Sequence, residues 1–319
     1  MSEKPPVVYI VGPTASGKTD ISVKLAEIFS GEIVCCDSMQ IYKGMHIASA
    51  APGEKEKETV RHHMFEFLPA DRTYSVSDYV KDANAVIADI QSRKKLPFVV
   101  GGTGLYAKSL SENIYFGEDI KSGKIREELS KKADESGLLN LYNELKSVDP
   151  QIALKISPND RKRIIRALEV FKSDGITMSE RIKNSKLNGP IYDNLFIGIN
   201  CQSRETLYSR INLRVDKMLK DGLLEEAKEA FKKSGSTSFQ AIGHKEFEGY
   251  FKGDLTIDQA AELLKMQTRR YAKRQITWFK KVPGIRWIYP DSGGDYINEA
   301  KEIIIDFLKK GGEQTEKEK

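Results

Sequence analysis

Near the start of the chain, Gly12-Pro13-Thr14-Ala15-Ser16-Gly17-Lys18-Thr19 sets two glycines, a lysine and a hydroxyl at the spacing of a phosphate-binding P-loop. The residue types suit that chemistry. Glycines let the backbone curl around an anion, so that the loop N–H groups and the following helix N-terminus face its oxygens. Lys18 adds a point charge, and the Thr19 hydroxyl is a candidate ligand for Mg²⁺. Taken alone, the segment points to ATP or GTP.

Asp37 follows a second apolar run, at the head of Asp37-Ser38-Met39-Gln40. A carboxylate at the carboxyl end of a strand can hold a metal ion or accept a proton. A third run opens into Gly101-Gly102-Thr103-Gly104, where glycine lets the backbone approach a ligand and a helix start supplies further N–H groups. Two basic clusters stand later, Arg161-Lys162-Arg163 with Arg166, and residues 269–281. Such clusters suit a polyanion. On a helix, Arg270, Lys273, Arg274, Thr277 and Lys281 share one face, whereas Tyr271, Trp278 and Phe279 fall elsewhere and are predicted to enter the core.

The elements that must position these groups follow from hydrophobic period. Short apolar runs at 7–11, 32–36 and 97–100 alternate with helical patterns at 18–29 and 76–93, the signature of βαβ units and a parallel sheet. From about residue 118 the chain turns charged and helix-prone, and a strand pattern returns only at 195–199. Helices are predicted at 204–221, 223–233 and 256–281, then a last strand at 285–288 and a helix at 296–308. The fold class is therefore α/β: a P-loop NTPase-like parallel sheet flanked by helices, with an inserted all-helical domain. Its core takes residues 1–117 and 195–310, the helical insertion takes 118–194, and 311–319, almost free of apolar residues, is predicted to be disordered.

At 319 residues, the length fits two domains or one domain with a large insertion. No apolar run approaches the roughly 20 residues of a membrane span, and the polar start lacks a signal peptide, so a cytoplasmic protein is expected. Cys35, Cys36 and Cys201 are too few and too irregular for a disulfide framework or a zinc site. The net charge of +5 decides nothing by itself; the clustering of the charge is more informative.

Together, in order and spacing, the P-loop, Asp37–Gln40 and Gly101–Tyr106 segments resemble the tRNA dimethylallyltransferase (isopentenyltransferase) family of bacterial type. The likeness extends to Arg61-His62-His63-Met64, to Pro158-Asn159-Asp160 with Arg163 and Arg166, to Gln240-Ala241-Ile242-Gly243-His244-Lys245-Glu246, and to 268–279. This resemblance implies transfer of a dimethylallyl group from dimethylallyl diphosphate to N6 of adenosine 37, beside the anticodon of tRNAs reading codons that start with U, with Mg²⁺ present and diphosphate released. It implies that Gly12, Thr14, Ala15, Ser16, Gly17, Lys18 and Thr19 bind the diphosphate, with Thr19 also at the metal. Asp37 would take the proton, Thr103 would lie at the reaction centre, and Arg214 would neutralise the diphosphate. Contacts to the tRNA, through an anticodon stem-loop bearing A36-A37-A38, would come from Asp37, Ser38, Met39, Gln40, Thr103, Lys162, Arg163, Arg166, Arg270 and Arg274. No membrane partner and a monomeric state are expected.

The chain departs from the family pattern at His46-Ile47-Ala48-Ser49-Ala50-Ala51, where Asp-Ile-Gly-Thr-Ala-Lys is usual, and at His244, where tyrosine is common. His244 is read as structural, as are His62 and His63, whereas the missing lysine leaves open what residues 46–51 do in RNA binding. Three rival readings remain on sequence: an adenylate isopentenyltransferase acting on AMP, ADP or ATP, a small-molecule P-loop kinase, and an RNA-binding relative without activity, against which the intact Asp37 and Lys18 argue. The basic helical block favours tRNA over the first, and no segment reads as an arginine-bearing kinase lid.

Overall fold

The structure, a computed structural model, describes residues 4–114, 123–185, 189–232 and 240–317, with side chains to 310. Among the described residues, six parallel strands form one sheet in the order β3-β2-β4-β1-β5-β6. They are β1 (Pro6–Val11), β2 (Glu32–Cys35), β3 (His62–His63), β4 (Pro97–Gly101), β5 (Asp193–Ile199) and β6 (Arg286–Ile288). Strand β1 pairs on both sides, Val11 opposite Gly101 of β4 and Gly198 of β5. Its last five residues are wholly buried, which explains why it reads as an unbroken apolar run rather than an alternating one.

The helices expected at 18–29 and 76–93 are present, with short helices between them that the sequence did not announce. In the core these are α1 (Lys18–Ile28), the short α2 (His46–Ser49) and α3 (Glu54–Thr59), α4 (Val76–Ser92) and α5 (Gly104–Ser111). Helix α4 starts on a capping box in which Ser75 and Asp78 satisfy each other's backbone N–H. One face of the sheet packs Val8, Ile10, Phe98 and Ile197 against Ile21 and Leu25 of α1. Behind the sheet Tyr9 stacks on Phe196 with centroids 4.3 Å apart, and Tyr79 of α4 stacks on Tyr106 of α5 at 4.0 Å.

The chain divides into two compact units, 1–111 with 191–319, and 112–190. The boundary predicted at 117–118 lies outside the described residues, and Asp193–Asn194, counted with the insertion on sequence, belong to β5 and pair with β1. By itself the 112–190 unit is helical: α6 (Gly123–Ser136), α7 (Leu138–Val148), α8 (Pro150–Ala153), α9 (Arg161–Asp174) and α10 (Met178–Asn184). Leu129, Leu141, Leu145, Ile164 and Leu168 form its own core, and Asp160 caps α9 by accepting the Arg163 N–H.

Back in the first unit come α11 (Arg204–Lys220), α12 (Leu223–Lys232), a 3₁₀ turn at Lys245–Phe247, α13 (Glu248–Phe251), α14 (Ile257–Phe279) and α15 (Tyr296–Lys317). The last corrects an expectation: the backbone is helical through Lys317, where disorder was predicted from 311. Extending an existing helix avoids the nucleation cost, and Glu, Gln and Lys are good helix formers, so low apolar content did not end it. Among the described residues, no helix is long and apolar enough to cross a membrane.

Candidate active site

The three central strand ends converge. Strand β1 runs into the P-loop, β2 into Asp37, and β4, which lies between them, into Gly102 and Thr103. Gly12 has φ +149°, and a Cβ there would stand 2.1 Å from the Ile199 carbonyl of β5, so only glycine lets the loop leave the sheet at this point. Within the loop, the Ser16 hydroxyl donates to the Pro13 carbonyl at 2.9 Å, and Lys18 Nζ donates to the same oxygen at 2.6 Å. The Thr14 N–H is already used, donating to Gln275 Oε1 at 2.9 Å. What Thr14 can offer an anion is therefore its hydroxyl.

Asp37 accepts the Met39 N–H at 2.9 Å. Burial raises the Asp37 pKa above the usual carboxylate value, and the N–H groups of Met39 and Gln40 with the charges of Lys18 and Arg214 offset only part of that rise. Burial lowers Lys18 to about 8, opposed by Asp37 and reinforced by Arg214. Arg214, on α11, is likewise lowered by burial and supported by Asp37. One carboxylate thus faces two cations, an arrangement that holds a net positive charge until an anion arrives.

Thr103 braces this group. Its Oγ1 accepts the Ser38 N–H at 2.9 Å and lies 3.3 Å from Ser38 Oγ, while Tyr271 of α14 stands beside the Thr103 side chain. The Gln40 side chain donates to the carbonyls of Ser49 and Ala50 at 3.1 and 2.9 Å, which ties the Asp37 turn to α2.

Two adjoining hollows share Thr14, Asp37, Ser49 and Arg214. A small polar recess of about 60 Å³ adds Lys18, Thr19 and Gln275. A larger cavity of about 280 Å³ has Ser38 and Arg274 at its polar part and Ile211, Val215, Met218, Ile242 and Leu264 as apolar wall. An anion cradle next to an apolar chamber suits a ligand with a charged head and a hydrocarbon tail. Among the described residues, no cluster of three or more His, Cys, Asp or Glu could hold a metal ion. The donor set, one hydroxyl and one carboxylate at a phosphate cradle, fits Mg²⁺ carried mainly by substrate oxygens and water.

The side chains of Arg270, Lys273, Arg274 and Thr277 on α14, and of Lys281 just beyond it, are all exposed, and Arg274 lies over the Tyr271 ring at 5.7 Å. Phe279 is buried, as expected of it, but Trp278 is 39% exposed, against its predicted place in the core. It rests on Gly104, where a Cβ would come within 2.1 Å of the indole, so its ring covers the start of α5 rather than entering the sheet packing. Lys162, Arg163 and Arg166 lie together on α9, in the helical unit. Lys162 and Arg163 are exposed, whereas Arg166 is partly buried and shares the buried carboxylate of Glu169 with Arg126.

Two of the histidines pair with carboxylates. His63 meets Glu32 at 2.7 Å, a buried carboxylate also paired with Arg93 and Lys95. His244 is buried against Glu226. Sequence reasoning missed Gln275, Tyr271 and Glu226 as site-shaping residues. The first two stand within the late motif 268–279 and could have been flagged as uncharged polar positions between basic ones.

Fold and site together define an α/β enzyme with a P-loop-type anion cradle beside an apolar chamber. A family model described as IPP transferase matches residues 40–282. The chain is 45% identical over 307 residues to the tRNA dimethylallyltransferase of Caldanaerobacter subterraneus, covering 95% of this chain and 97% of the relative. It is 42% identical to that of Bacillus subtilis, covering 94% and 96%. Among solved structures, a tRNA isopentenylpyrophosphate transferase from Bacillus halodurans matches with a TM-score of 0.74 at 36% identity, covering 98% of this chain and all of the other. A eukaryotic dimethylallyltransferase acting on tRNA matches at 0.81 and 29% identity, covering 96% and 80%. This chain belongs to the IPP transferase family.

Proposed function

We propose that the chain transfers a dimethylallyl group from dimethylallyl diphosphate to N6 of adenosine 37 in tRNAs reading codons that start with U. The observation that carries this reading is the pairing of an anion cradle at Lys18 and Arg214 with an apolar chamber, and Asp37 between them. The diphosphate sits on the loop 12–19, and the five-carbon tail lies along Ile211, Val215, Met218 and Leu264. The adenine N6 attacks the allylic carbon as its C–O bond breaks. The bonding pair leaves with the diphosphate, and the N6 proton passes to Asp37. An exocyclic amine is a weak nucleophile, so positioning and proton acceptance carry much of the rate. Charge accumulating on the departing diphosphate is met by Lys18, Arg214 and the loop N–H groups.

Mg²⁺, held by the diphosphate and the Thr19 hydroxyl, would supply further charge neutralisation. The target adenine must leave the stacked RNA to reach Asp37. Contacts to the RNA come from Asp37, Ser38, Met39, Gln40 and Thr103 at the site, from Arg270 and Arg274 on α14, and from Lys162 and Arg163 on α9, beside Arg166, which braces Glu169. The enzyme works in the cytoplasm as a monomer.

The test is incubation with dimethylallyl diphosphate, Mg²⁺ and either an anticodon stem-loop bearing A36-A37-A38 or free AMP. Prenylated RNA is the expected product. Transfer to AMP alone would replace this reading with the adenylate isopentenyltransferase, and phosphorylation from ATP without prenyl transfer would replace it with a kinase.

A further inference from the structure

Gln275 commits both ends of one buried amide to the site. Its Oε1 accepts the N–H of Thr14 in the P-loop at 2.9 Å, and its Nε2 donates to the carbonyl of Gly102 at 3.0 Å. The side chain is 5% exposed and lines the polar recess with Lys18, Asp37 and Arg214. Gly102 is fitted to it, because a Cβ there would lie 2.1 Å from Gln275 Nε2. The joined segments have different duties. One is the anion cradle; the other leads directly into Thr103, whose hydroxyl holds the Ser38 N–H next to Asp37.

We propose that Gln275 is a positioning residue that sets the separation between the diphosphate loop and the Asp37–Thr103 pair. The proposal rests on the transfer reading above. Displacement at carbon needs leaving group and nucleophile held in register, and a misplacement of about 1 Å costs about 100-fold in rate. The amide is suited to the task because it offers an acceptor to Thr14 and a donor to Gly102 from one rigid plane.

Gln275→Met keeps length and volume but removes both bonds; Gln275→Glu keeps an acceptor for Thr14 and turns the other end against the Gly102 carbonyl. With wild-type enzyme, dimethylallyl diphosphate and the stem-loop RNA, diphosphate release and RNA prenylation should match one for one. In Gln275→Met, kcat should fall about 100-fold, diphosphate release should exceed prenylation because water captures the misplaced allylic carbon, and affinity for inorganic pyrophosphate should stay within about threefold. The excess release is the readout a purely structural role would not move. A kcat within about threefold of wild type, or losses of kcat and pyrophosphate affinity in equal proportion with release still matched to prenylation, would overturn the proposal. If Gln275→Met does not fold, Gln275→Glu carries the same comparison of release and prenylation. If wild-type enzyme prenylates no RNA, the transfer reading fails instead, which separates the two.

Discussion

His244 Nε2 lies 2.9 Å from Glu226 Oε1, and that oxygen also accepts the backbone N–H of Ala48 at 2.9 Å. The second carboxylate oxygen takes the N–H of Ile47 at 2.8 Å. One side chain of α12 therefore holds the start of α2 from outside, as Gln40 holds its end from the Asp37 turn. This is the segment where the chain departs from the family pattern, and its second departure, His244, is part of the same cluster. Removing the carboxylate with Glu226→Ala takes the acceptor from the half-buried Ile47 and Ala48 N–H groups, each a cost of up to about 1–3 kcal/mol. The expected result is a lower urea midpoint with unchanged slope.

The acid dependence of that clamp has a definite sign. Burial raises the Glu226 pKa, but His244 and the two amides outweigh it, and the net shift is below the ordinary 4.5. A depressed carboxylate stabilises the fold fully above the unfolded value and loses that contribution as pH falls through the folded one. The stability gap between wild type and Glu226→Gln should be constant near neutrality and shrink as pH drops below 4.5, read from urea melts across that range.

Lys18 has the opposite behaviour. Burial holds it down to about 8, so the free enzyme loses this cation as pH passes that value. A bound diphosphate favours the charged form, so binding must draw in a proton when pH is at or above the free value. Calorimetric titration with pyrophosphate in two buffers of different ionisation enthalpy should show proton uptake at pH 8.5 and little at pH 6.5. Lys18→Met should abolish the uptake. Uptake that persists in the variant would assign it to another group.

Asp37→Ala separates proton acceptance from anion binding. Loss of the carboxylate should cut RNA prenylation by about 100-fold or more. Pyrophosphate affinity should not fall, because Asp37 is itself an anion facing Lys18 and Arg214. Weakened pyrophosphate binding in Asp37→Ala would move Asp37 from the proton to the metal.

Much of this site was legible because its parts sit at strand ends that apolar runs announce. The P-loop, Asp37 and Thr103 are each read from a run and the residues just after it. Arg214 entered only through the family likeness. The partnerships of Gln275 and Glu226 could not be read, since their partners stand 261 and 179 residues away and are backbone atoms that no side-chain pattern records. Trp278 was misplaced for a related reason: helical period gives a face, but the thin spot at Gly104 that receives the indole lies on another element. The strand β3 was also unread, because two residues give no period to detect.

The basic face of α14 separates electrostatic from structural contributions. Arg274 is exposed, lines the larger cavity and lies over the Tyr271 ring. A phosphate contact made by such a side chain releases about one counterion. Arg274→Ala should therefore weaken stem-loop RNA binding at low salt and reduce the slope of log K against log salt by about 0.7–0.9. Arg163 on α9, 69% exposed with only a surface partner in Asp160, should behave alike. Arg166 should not: its guanidinium already serves Glu169, which is 2% exposed, so Arg166→Ala should lower the stability of the helical unit more than it changes the salt slope. The check is RNA binding at several salt concentrations beside thermal melts. A full unit of slope lost in Arg166→Ala with an unchanged melt would show instead that this arginine leaves Glu169 to meet the RNA.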